Sequence, residues 1–585
     1  MLYFFHISFP KYEAMRQNRN LQPNSEIKEQ TTSALARAID FFLTQQQAGG
    51  NFEGQLSSST FPSCAYAWIQ LTQGQTPEKA LIDWFIKNQN EDGAWGLDTA
   101  NQSNPDATLF TQLILEQVSE NVSTPRLQET LSCIPHYPLD LALVKLSYAS
   151  FNRFDWYKLT VSKRALPLMR FVKLLTRIPV LRALLKPPRN KLPPVDLFNT
   201  PLFEELFIAE QHTLVPVFIL IELNTTKRPE IINSLVAWLK ARVLSDGSWF
   251  RVNYITALSV LALIEIHKNG SADSEIQLLI EKGIEWLRAT QNPDGGCREA
   301  LNLNVWDTAL SIIALTEVSA SYSNSSDIIS EAAQWLVDHQ NDNGGWAFSG
   351  MCDSSLPSDA DDTALGTLAI IRAKLTSTDA NSAIQRGIEW LKQNQGSDGS
   401  WSTYQPGQGD VGCVSITAHA IEALLAFGEN EISVNRGIQW LRSTIHRDGF
   451  WDDLWLAKRT YGTACAIAAL VKAEFGEASE IARGIRWLEQ TQNTDGGWGE
   501  DMFGNPTDST VEQTAWCTYA LGLVDRENRS AQKGIAFLLK NQKENGSWEE
   551  SCVGIYWEVI GGYSDPIYAS VFPILALNQY VNKTS

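Results

Sequence analysis

A helical pattern of apolar and polar positions recurs through most of the chain. An apolar helix end that reads G-I-x-W-L is followed by the polar turn Q-x-x-x-G-x-W, as in GIEWLKQNQGSDGSW. In the second half the first glycine of this turn recurs every 47 to 55 residues, at Gly295, Gly344, Gly399, Gly449, Gly496 and Gly546. About fifty residues hold two helices and two turns. Six such units are therefore predicted to close a ring.

The segments between these turns predict the partner helices. They are almost entirely small and apolar, as helices buried on every side must be, and several begin at Asp-Thr or Gly-Thr, which fits N-capping. Examples are DTALSIIALTEV from Asp307, DTALGTLAIIRAKL from Asp362, ITAHAIEALLAF from Ile416 and GTACAIAALVKA from Gly462. The predicted fold class is all-α, with apolar inner helices and amphipathic outer helices in a double-layered α/α barrel.

The turn motif is sparser in the first half of the chain. It reads QQAGGNF from Gln46, QNEDGAW from Gln89 and VLSDGSW from Val243, which implies a second, more degenerate barrel. We predict three parts: an N-terminal segment, 1–30, packing on the C-terminal barrel, a smaller barrel over 31–275, and a larger barrel over 276–585.

Fourteen of the 20 tryptophans occupy the two Trp places of the repeat. For these a structural role is predicted, with the Gln side chain tying neighbouring helices and the Trp packing over the turn. The remaining six are available for another role: Trp68, Trp156, Trp306, Trp455, Trp516 and Trp557.

Composition and charge narrow the class of protein. With 585 residues, 44% apolar and 19% charged, the chain has the composition of a folded protein of two to four domains. The net charge of −19 makes nucleic-acid binding the least favoured class. Eight scattered cysteines without a C-x-x-C pair indicate a reduced, intracellular chain without structural zinc. The opening MLYFFHISF lacks a basic region, which argues against a signal peptide.

One segment departs from this acidic average. Residues 163–191 carry nine Lys and Arg and no acid, interleaved with Leu, Ile, Val and Phe. This composition suits the headgroup boundary of an anionic membrane. A solvated basic helix or a partner site is the alternative.

The strongest chemical signal is PSDADDTAL, which places Asp359, Asp361 and Asp362 at the start of an inner helix. For an isolated D-x-D-D, an N-cap with a solvated acidic turn is the plain interpretation. On an inner helix, however, the acids face an apolar interior, where they cannot all ionise and one keeps its proton. A proton donor is therefore predicted here, without a metal.

At this point the residues resemble a known family. The Q-x-x-x-G-x-W repeats, the D-x-D-D acid and the phrases NVWDTAL, SITAHAIEAL, TYGTA, EQTAW and YASVFPILAL together resemble class II terpene cyclases, in particular squalene-hopene cyclases. The resemblance is nearly continuous over 283–580 and looser over 36–275. It implies an isomerase that cyclises a linear polyprene such as squalene to a polycyclic terpenoid, with no cofactor and no metal.

The resemblance also implies roles for the site residues. Asp361 would protonate a terminal carbon–carbon double bond, with Asp359 and Asp362 as its supports. His419 would hydrogen-bond the acid, and Tyr461 would join the same shell through ordered water. Because an alkene is a very poor base, the acid must be stronger than an ordinary Asp, and a cationic His419 would stabilise the carboxylate left behind. A satisfied core histidine is the alternative for His419.

Aromatic faces are expected to stabilise the migrating cations without reacting with them. By motif match the candidates are Trp306, Phe348, Trp455 and Trp557, with plain core packing as the alternative for each. Two departures bear on the product. Ser415 stands where the family usually has an Asp, which puts the re-protonation route in question, and GGYSDPIY, with Gly561, Gly562 and Asp565, replaces aromatic lining near the C-terminus. A pentacyclic product is therefore not assured.

The resemblance further implies a monotopic enzyme on the cytoplasmic side of a membrane, docked through 163–191, that takes its substrate from the bilayer. The sequence leaves a homodimer open. Three alternative functions are a class II cyclase of a C15–C20 prenyl diphosphate, which would favour Mg²⁺ and basic residues; a non-catalytic α/α-barrel binding protein; and an α/α-barrel glycosidase, which needs two separated carboxylates and fits the clustered acids poorly.

Overall fold

The computed structural model describes residues 25–99, 102–120, 124–169, 171, 189–318, 325–350, 356–404, 406, 412–428, 432–556 and 561–582. Across these residues the chain is helical apart from short antiparallel strand pairs, Trp498–Glu500 with Pro506–Thr510 and Gly554–Ile555 with Gly562–Tyr563. The predicted all-α fold is confirmed.

The C-terminal barrel is a closed double ring. Consecutive inner helices pack side by side, and the last packs against the first. Among the described residues the inner helices are Asn304–Val318, Ala360–Ala373, Val414–Phe427, Thr460–Lys472, Val511–Val524 and Tyr568–Val581. The outer helices are Ser25–Leu43, Ser325–Asp338, Thr378–Gln393, Ile432–Thr444, Ser479–Thr491 and Arg529–Asn541. The inner helices are buried along most of their length, whereas the outer helices bury one stripe, as their sequence patterns require.

The second barrel is less regular and has its own cluster of buried apolar side chains. Its more deeply buried helices are Thr60–Thr72, Pro105–Ser119, Ala142–Ser150, Ile208–Asn224 and Asn253–Lys268. Its amphipathic helices are Lys79–Lys87, Pro125–Ser132, Pro229–Lys240 and Ser274–Ala289, with short helical turns at Trp156–Lys158, Lys163–Ala165, Val195–Asn199 and Pro201–Glu204.

The Gln of the repeat links neighbouring outer helices. The Gln395 side chain donates to the carbonyl of Gly399 in its own turn and to that of Ser433 at the start of the next outer helix, both at 2.8 Å. Further double links of this kind are made by Gln46, Gln340, Gln492 and Gln542. The link from Gln542 reaches the carbonyl of Ala34 at 2.8 Å, which ties the end of the ring to the N-terminal helix.

The Trp that closes the turn is held by two hydrogen bonds in most of the repeats. The indole N–H of Trp346 donates to the carbonyl of Leu336 at 2.8 Å, and its backbone N–H donates to the Thr363 hydroxyl at 3.0 Å. Trp401, Trp451 and Trp498 repeat both bonds. The threonines of the inner helices therefore bind the preceding turn, rather than capping their own helices as the sequence suggested.

The structure divides the chain differently from the predicted boundaries at residues 30 and 275. Helix Ser25–Leu43 is an outer helix of the C-terminal barrel and packs on Tyr568–Val581, while residues 1–24 lie outside the described part. Helix Ser274–Ala289, with the turn at Gly295, packs in the smaller barrel. The Gln46 unit thus completes the ring in place of the Gly295 unit, because closure joins segments distant in sequence that no local pattern pairs.

Candidate active site

The D-x-D-D motif forms the first turn of inner helix Ala360–Ala373. Asp359 is the N-cap, and its Oδ1 accepts the backbone N–H of Asp362 at 2.8 Å. The corner is fixed on both sides, because the Asp359 N–H donates to the carbonyl of Trp346 and the Ala360 N–H to the carbonyl of Thr403, each at 2.8 Å. Asp359 is therefore a capping residue, and the Asp361 side chain is left for another partner.

That partner is His419. Its Nδ1 lies 2.6 Å from Asp361 Oδ1, and the two side chains are only 10% and 9% exposed. Burial raises the pKa of Asp361, and the charge and hydrogen bond of His419 oppose this rise only in part. Burial acts to lower the pKa of His419, but the charge and hydrogen bond of Asp361 raise it well above its usual value. Burial thus favours the protonated form of Asp361 before reaction, and a cationic His419 would stabilise the carboxylate that forms when the proton leaves.

The other two acids of the motif share this buried setting. Burial raises the pKa of Asp359 to about 7. Burial, followed by the charges of Asp359 and Asp361, raises the pKa of Asp362 well above its usual value. Burial and mutual repulsion therefore disfavour the ionisation of all three carboxyls together.

The far nitrogen of His419 faces helix Thr460–Lys472. The Tyr461 hydroxyl lies 3.5 Å from His419 Nε2, and the Cys465 thiol lies 3.8 Å from the same atom. Burial raises the pKa of Tyr461 well above its usual value, so the phenol keeps its proton. Sequence reasoning found Tyr461 but missed Cys465, which stands one helical turn later and carried no motif.

Further aromatic side chains lie on both sides of His419 and Tyr461. The Trp306 ring lies 6.0 Å from that of His419. On the other side Tyr461 packs edge to face on Trp516 at 5.0 Å between ring centroids, and Trp516 on Phe572 at 5.2 Å. Trp516, one of the six tryptophans outside the repeat, and Phe572 were not among the cation-stabilising candidates, although both lie in phrases, EQTAW and YASVFPILAL, that carried the family resemblance.

The other three aromatic candidates differ in their surroundings. The indole N–H of Trp455 donates to the Thr403 hydroxyl at 3.1 Å, beside the start of the acid-bearing helix. The Phe348 ring has Phe250 of the smaller barrel as its neighbour, at 6.4 Å between centroids. Trp557 lies outside the described residues. The structure thus brings Trp306 close to His419, and Trp455 to the loop beside the acid-bearing helix.

The departure GGYSDPIY introduces a second buried acid pair. Asp565 and Asp307 are both fully buried, and the backbone N–H of Gly54 donates to Asp307 Oδ2 at 2.9 Å. Burial raises the pKa of Asp565 to about 7, and burial with the charge of Asp565 raises that of Asp307 well above its usual value. The hydroxyls of Tyr563 and Tyr568 lie 3.3 Å apart beside them.

Neither a metal site nor a membrane-spanning helix is present among the described residues. In the part of the chain that the structure describes, no group of three His, Cys, Asp or Glu side chains could hold a metal ion. The same part contains no helix with the length and apolar character needed to cross a bilayer. Most of the basic segment 163–191 lies outside the described residues, but Leu168 and Phe171 within it are 62% and 56% exposed.

Comparisons with known proteins agree with this architecture. Residues 303–582 match the squalene-hopene cyclase C-terminal domain, and residues 26–140 match the prenyltransferase alpha-alpha toroid domain. The chain is 25% identical to the squalene–hopene cyclase of Alicyclobacillus acidocaldarius, over 93% of this chain and 97% of that protein. It is 24% identical to the squalene–hopene cyclase of Zymomonas mobilis, over 96% of each.

A solved structure supports the fold across both barrels. The ent-copalyl diphosphate synthase of Streptomyces platensis superposes with a TM-score of 0.57 at 17% identity, covering 94% of this chain and 99% of that one. The likeness extends to the whole architecture, and the family matches cover both barrels in part. The chain belongs to the class II terpene cyclase family, enzymes of the intramolecular lyase type.

Proposed function

We propose that this cyclase protonates the terminal double bond of a linear polyprene, squalene or a similar isoprenoid, and closes it into a polycyclic terpenoid. The observation that carries the proposal is the buried Asp361–His419 pair, joined at 2.6 Å. The proton leaves the Asp361 carboxyl, a C–H bond forms at the end of the alkene, and positive charge appears on the more substituted carbon. His419 and the helix N-terminus stabilise the carboxylate that remains.

The cation then migrates as rings close, and it needs surroundings that stabilise charge without attacking it. Trp306 and Tyr461 present aromatic rings beside His419, and Trp516 packs on Tyr461. Each dry aromatic face contributes roughly 1–2 kcal/mol to a nearby cation. Squalene is supported as substrate by the two relatives of nearly equal extent that carry the name squalene–hopene cyclase.

The test supplies detergent-solubilised enzyme, without added metal, with squalene and separately with geranylgeranyl diphosphate. Products are analysed by gas chromatography and mass spectrometry after phosphatase treatment. Asp361→Asn should lose the squalene product by at least a thousandfold, because the amide cannot supply the proton. Asp379→Asn is the matched control, since Asp379 is an exposed acid in the first turn of an outer helix and its loss should leave turnover unchanged.

A cyclised hydrocarbon or alcohol that disappears only in Asp361→Asn supports the proposal, and its mass and fragmentation give the ring count. Turnover of the diphosphate alone would replace the substrate with a prenyl diphosphate. A squalene product that survives in Asp361→Asn would overturn the role of the acid.

We also propose peripheral docking on the cytoplasmic face of a membrane through 163–191. The support is the run of nine cationic residues without an acid, together with the exposed Leu168 and Phe171 in the described part of the segment. A polyprene that is insoluble in water would then pass from the bilayer to the barrel.

A further inference from the structure

The inner helix that carries His419 begins without a cap of its own. In Val414–Phe427 the N-cap residue is Cys413, whose side chain makes no capping bond. The cap comes instead from Asp453, in the loop that follows the next repeat turn. Its Oδ1 accepts the backbone N–H of Ser415 at 3.0 Å and the Cys413 thiol at 3.2 Å. The helix that positions His419 is thus held by a side chain from elsewhere in the chain.

Asp453 is itself fixed in place. It is 1% exposed, its backbone N–H donates to the carbonyl of Lys458 at 2.7 Å, and the Lys458 ammonium donates to the Asp453 carbonyl at 3.0 Å. Its second carboxylate oxygen, Oδ2, accepts the backbone N–H of Trp455 at 3.4 Å. One carboxylate therefore contacts both the helix of His419 and the loop of Trp455.

We propose that Asp453 is a positioning residue for the acid: its carboxylate caps the helix of His419, and its negative charge favours the proton on Asp361. The inference rests on the proposed function only for its kinetic consequence. The proposal also explains how Ser415 can stand where the family usually has an Asp. Asp453 brings a carboxylate to the backbone N–H of Ser415.

The charges around Asp361 give the sign of the effect. His419 faces it from helix Val414–Phe427 and lowers its pKa, while Asp453 faces it from the loop and raises it. On its own helix Asp359 and Asp362 are the neighbouring acids, and beyond His419 stand Tyr461 and Cys465. Without the charge of Asp453, the lowering effect of His419 on the pKa of Asp361 is no longer partly cancelled. Asp361 should therefore lose its proton at lower pH.

The experiment measures the protonation of Asp361 directly. The infrared carbonyl band of the protonated carboxyl is titrated as the difference between each protein and its Asp361→Asn derivative. Asp453→Asn keeps an oxygen that can accept the Ser415 N–H but removes the charge, and it should titrate at lower pH than the parent. Asp453→Glu, and Asp453→Asn combined with Ser415→Asp, should return the midpoint toward the parent value.

Glu500→Gln is the matched control. Glu500 caps the neighbouring inner helix by accepting the N–H groups of Arg459 and Thr460, at 2.7 and 2.5 Å, and it is likewise buried. Its replacement should lower the thermal unfolding temperature without moving the Asp361 midpoint. An unchanged or raised midpoint in Asp453→Asn, or an equal shift in Glu500→Gln, would overturn the inference.

Kinetics separate this inference from the proposed function. With a substrate turned over by the parent enzyme, the alkaline limb of kcat/KM in Asp453→Asn should move to lower pH together with the infrared midpoint. If the parent enzyme cyclises neither squalene nor the diphosphate, the proposed substrate fails, while the infrared titration still decides the role of Asp453. If Asp453→Asn does not fold, the combination with Ser415→Asp serves as the folded variant, and failure of that protein to keep the parent midpoint counts against the inference.

Discussion

At the scale of single residues, the site stands out because some of its buried polar groups have weak hydrogen bonds or none. His419 has Asp361 on one nitrogen and only a phenol and a thiol, at 3.5 and 3.8 Å, on the other. The indole N–H of Trp516 is buried and makes no hydrogen bond within the described residues. A buried N–H without a hydrogen-bond acceptor lowers stability. In the repeat turns, by contrast, the indole N–H groups that the structure describes all donate to a carbonyl. A tryptophan at position 516 is therefore better explained by the contacts of its aromatic ring than by a hydrogen bond of its N–H.

Trp516→Leu should lower turnover by roughly 5- to 30-fold, because a cation loses about 1–2 kcal/mol of aromatic stabilisation. Trp516→Phe should keep most of the turnover and lose little stability, since only the unbonded N–H is removed. Product formation and thermal unfolding are measured on both. Trp346→Phe is the contrast: it deletes the 2.8 Å bond to the Leu336 carbonyl and should unfold at lower temperature. Unaltered turnover in Trp516→Leu would assign that ring to the core alone.

At the scale of secondary-structure elements, the outer ring is held by side chains that cross from one helix to the next. Gln395 satisfies two backbone carbonyls at once, in its own turn and in helix Ile432–Thr444. At Ile445, the place where the repeat lacks its Gln, the Arg483 guanidinium donates to the carbonyl of His446 at 2.6 Å from the next outer helix. The link between neighbouring helices is thus kept although its chemistry changes.

Gln395→Ala should lower the free energy of unfolding by about 1–3 kcal/mol, because it removes the side-chain hydrogen bonds to the carbonyls of Gly399 and Ser433. Gln334→Ala is the matched control, since Gln334 is exposed and bonds only Asp338 of its own helix, so the cost should stay below about 0.5 kcal/mol. Denaturant unfolding followed by circular dichroism measures both. Equal losses in the two variants would mean that the cross-helix link contributes nothing.

Local features of the chain were predictable, and closures across the fold were not. The helix pattern and the repeat turns follow from spacing and from motifs, and the pairing of Asp361 with His419 was implied by the family resemblance. The sequence did not indicate that the Gln46 unit, rather than the Gly295 unit, completes the larger ring. Asp453 and Cys465 were missed for the same reason: each meets the helix of His419 only after folding, and neither lies in a recurring pattern.

At the scale of the whole molecule, the C-terminal barrel is electrostatically asymmetric. Within the described residues, each inner helix starts beside a buried carboxyl: Asp307, Asp359, Asp453, Glu500, Glu512 and Asp565. Toward the other end stand ion pairs, Arg372 with Glu317 at 2.8 Å and Lys472 with Glu422 at 2.6 Å. Helix N-termini are positive and would oppose a carbocation. Carboxyl oxygens that accept the first N–H groups of these helices reduce that field at the end where Asp361 lies.

The distribution of charge also bears on membrane binding. A protein of net charge −19 would be repelled by an anionic bilayer unless one region of it is basic. Segment 163–191 is that region, and each Lys or Arg near such a surface contributes about 1 kcal/mol at low salt. Deleting 166–185 should abolish pelleting with phosphatidylserine-containing liposomes while circular dichroism remains helical.

The point variant Leu168→Ser with Phe171→Ser should weaken pelleting, whereas Leu278→Ser with Phe503→Ser, at 49% and 52% exposure elsewhere, should not. Binding by the parent protein should fall as salt rises, since the basic contribution is screened while the apolar one persists. Sedimentation velocity on the liposome-free samples tests whether the chain forms a homodimer. If the truncated protein still pellets with anionic liposomes, another surface carries the enzyme to the membrane, and the route from bilayer to barrel must begin there.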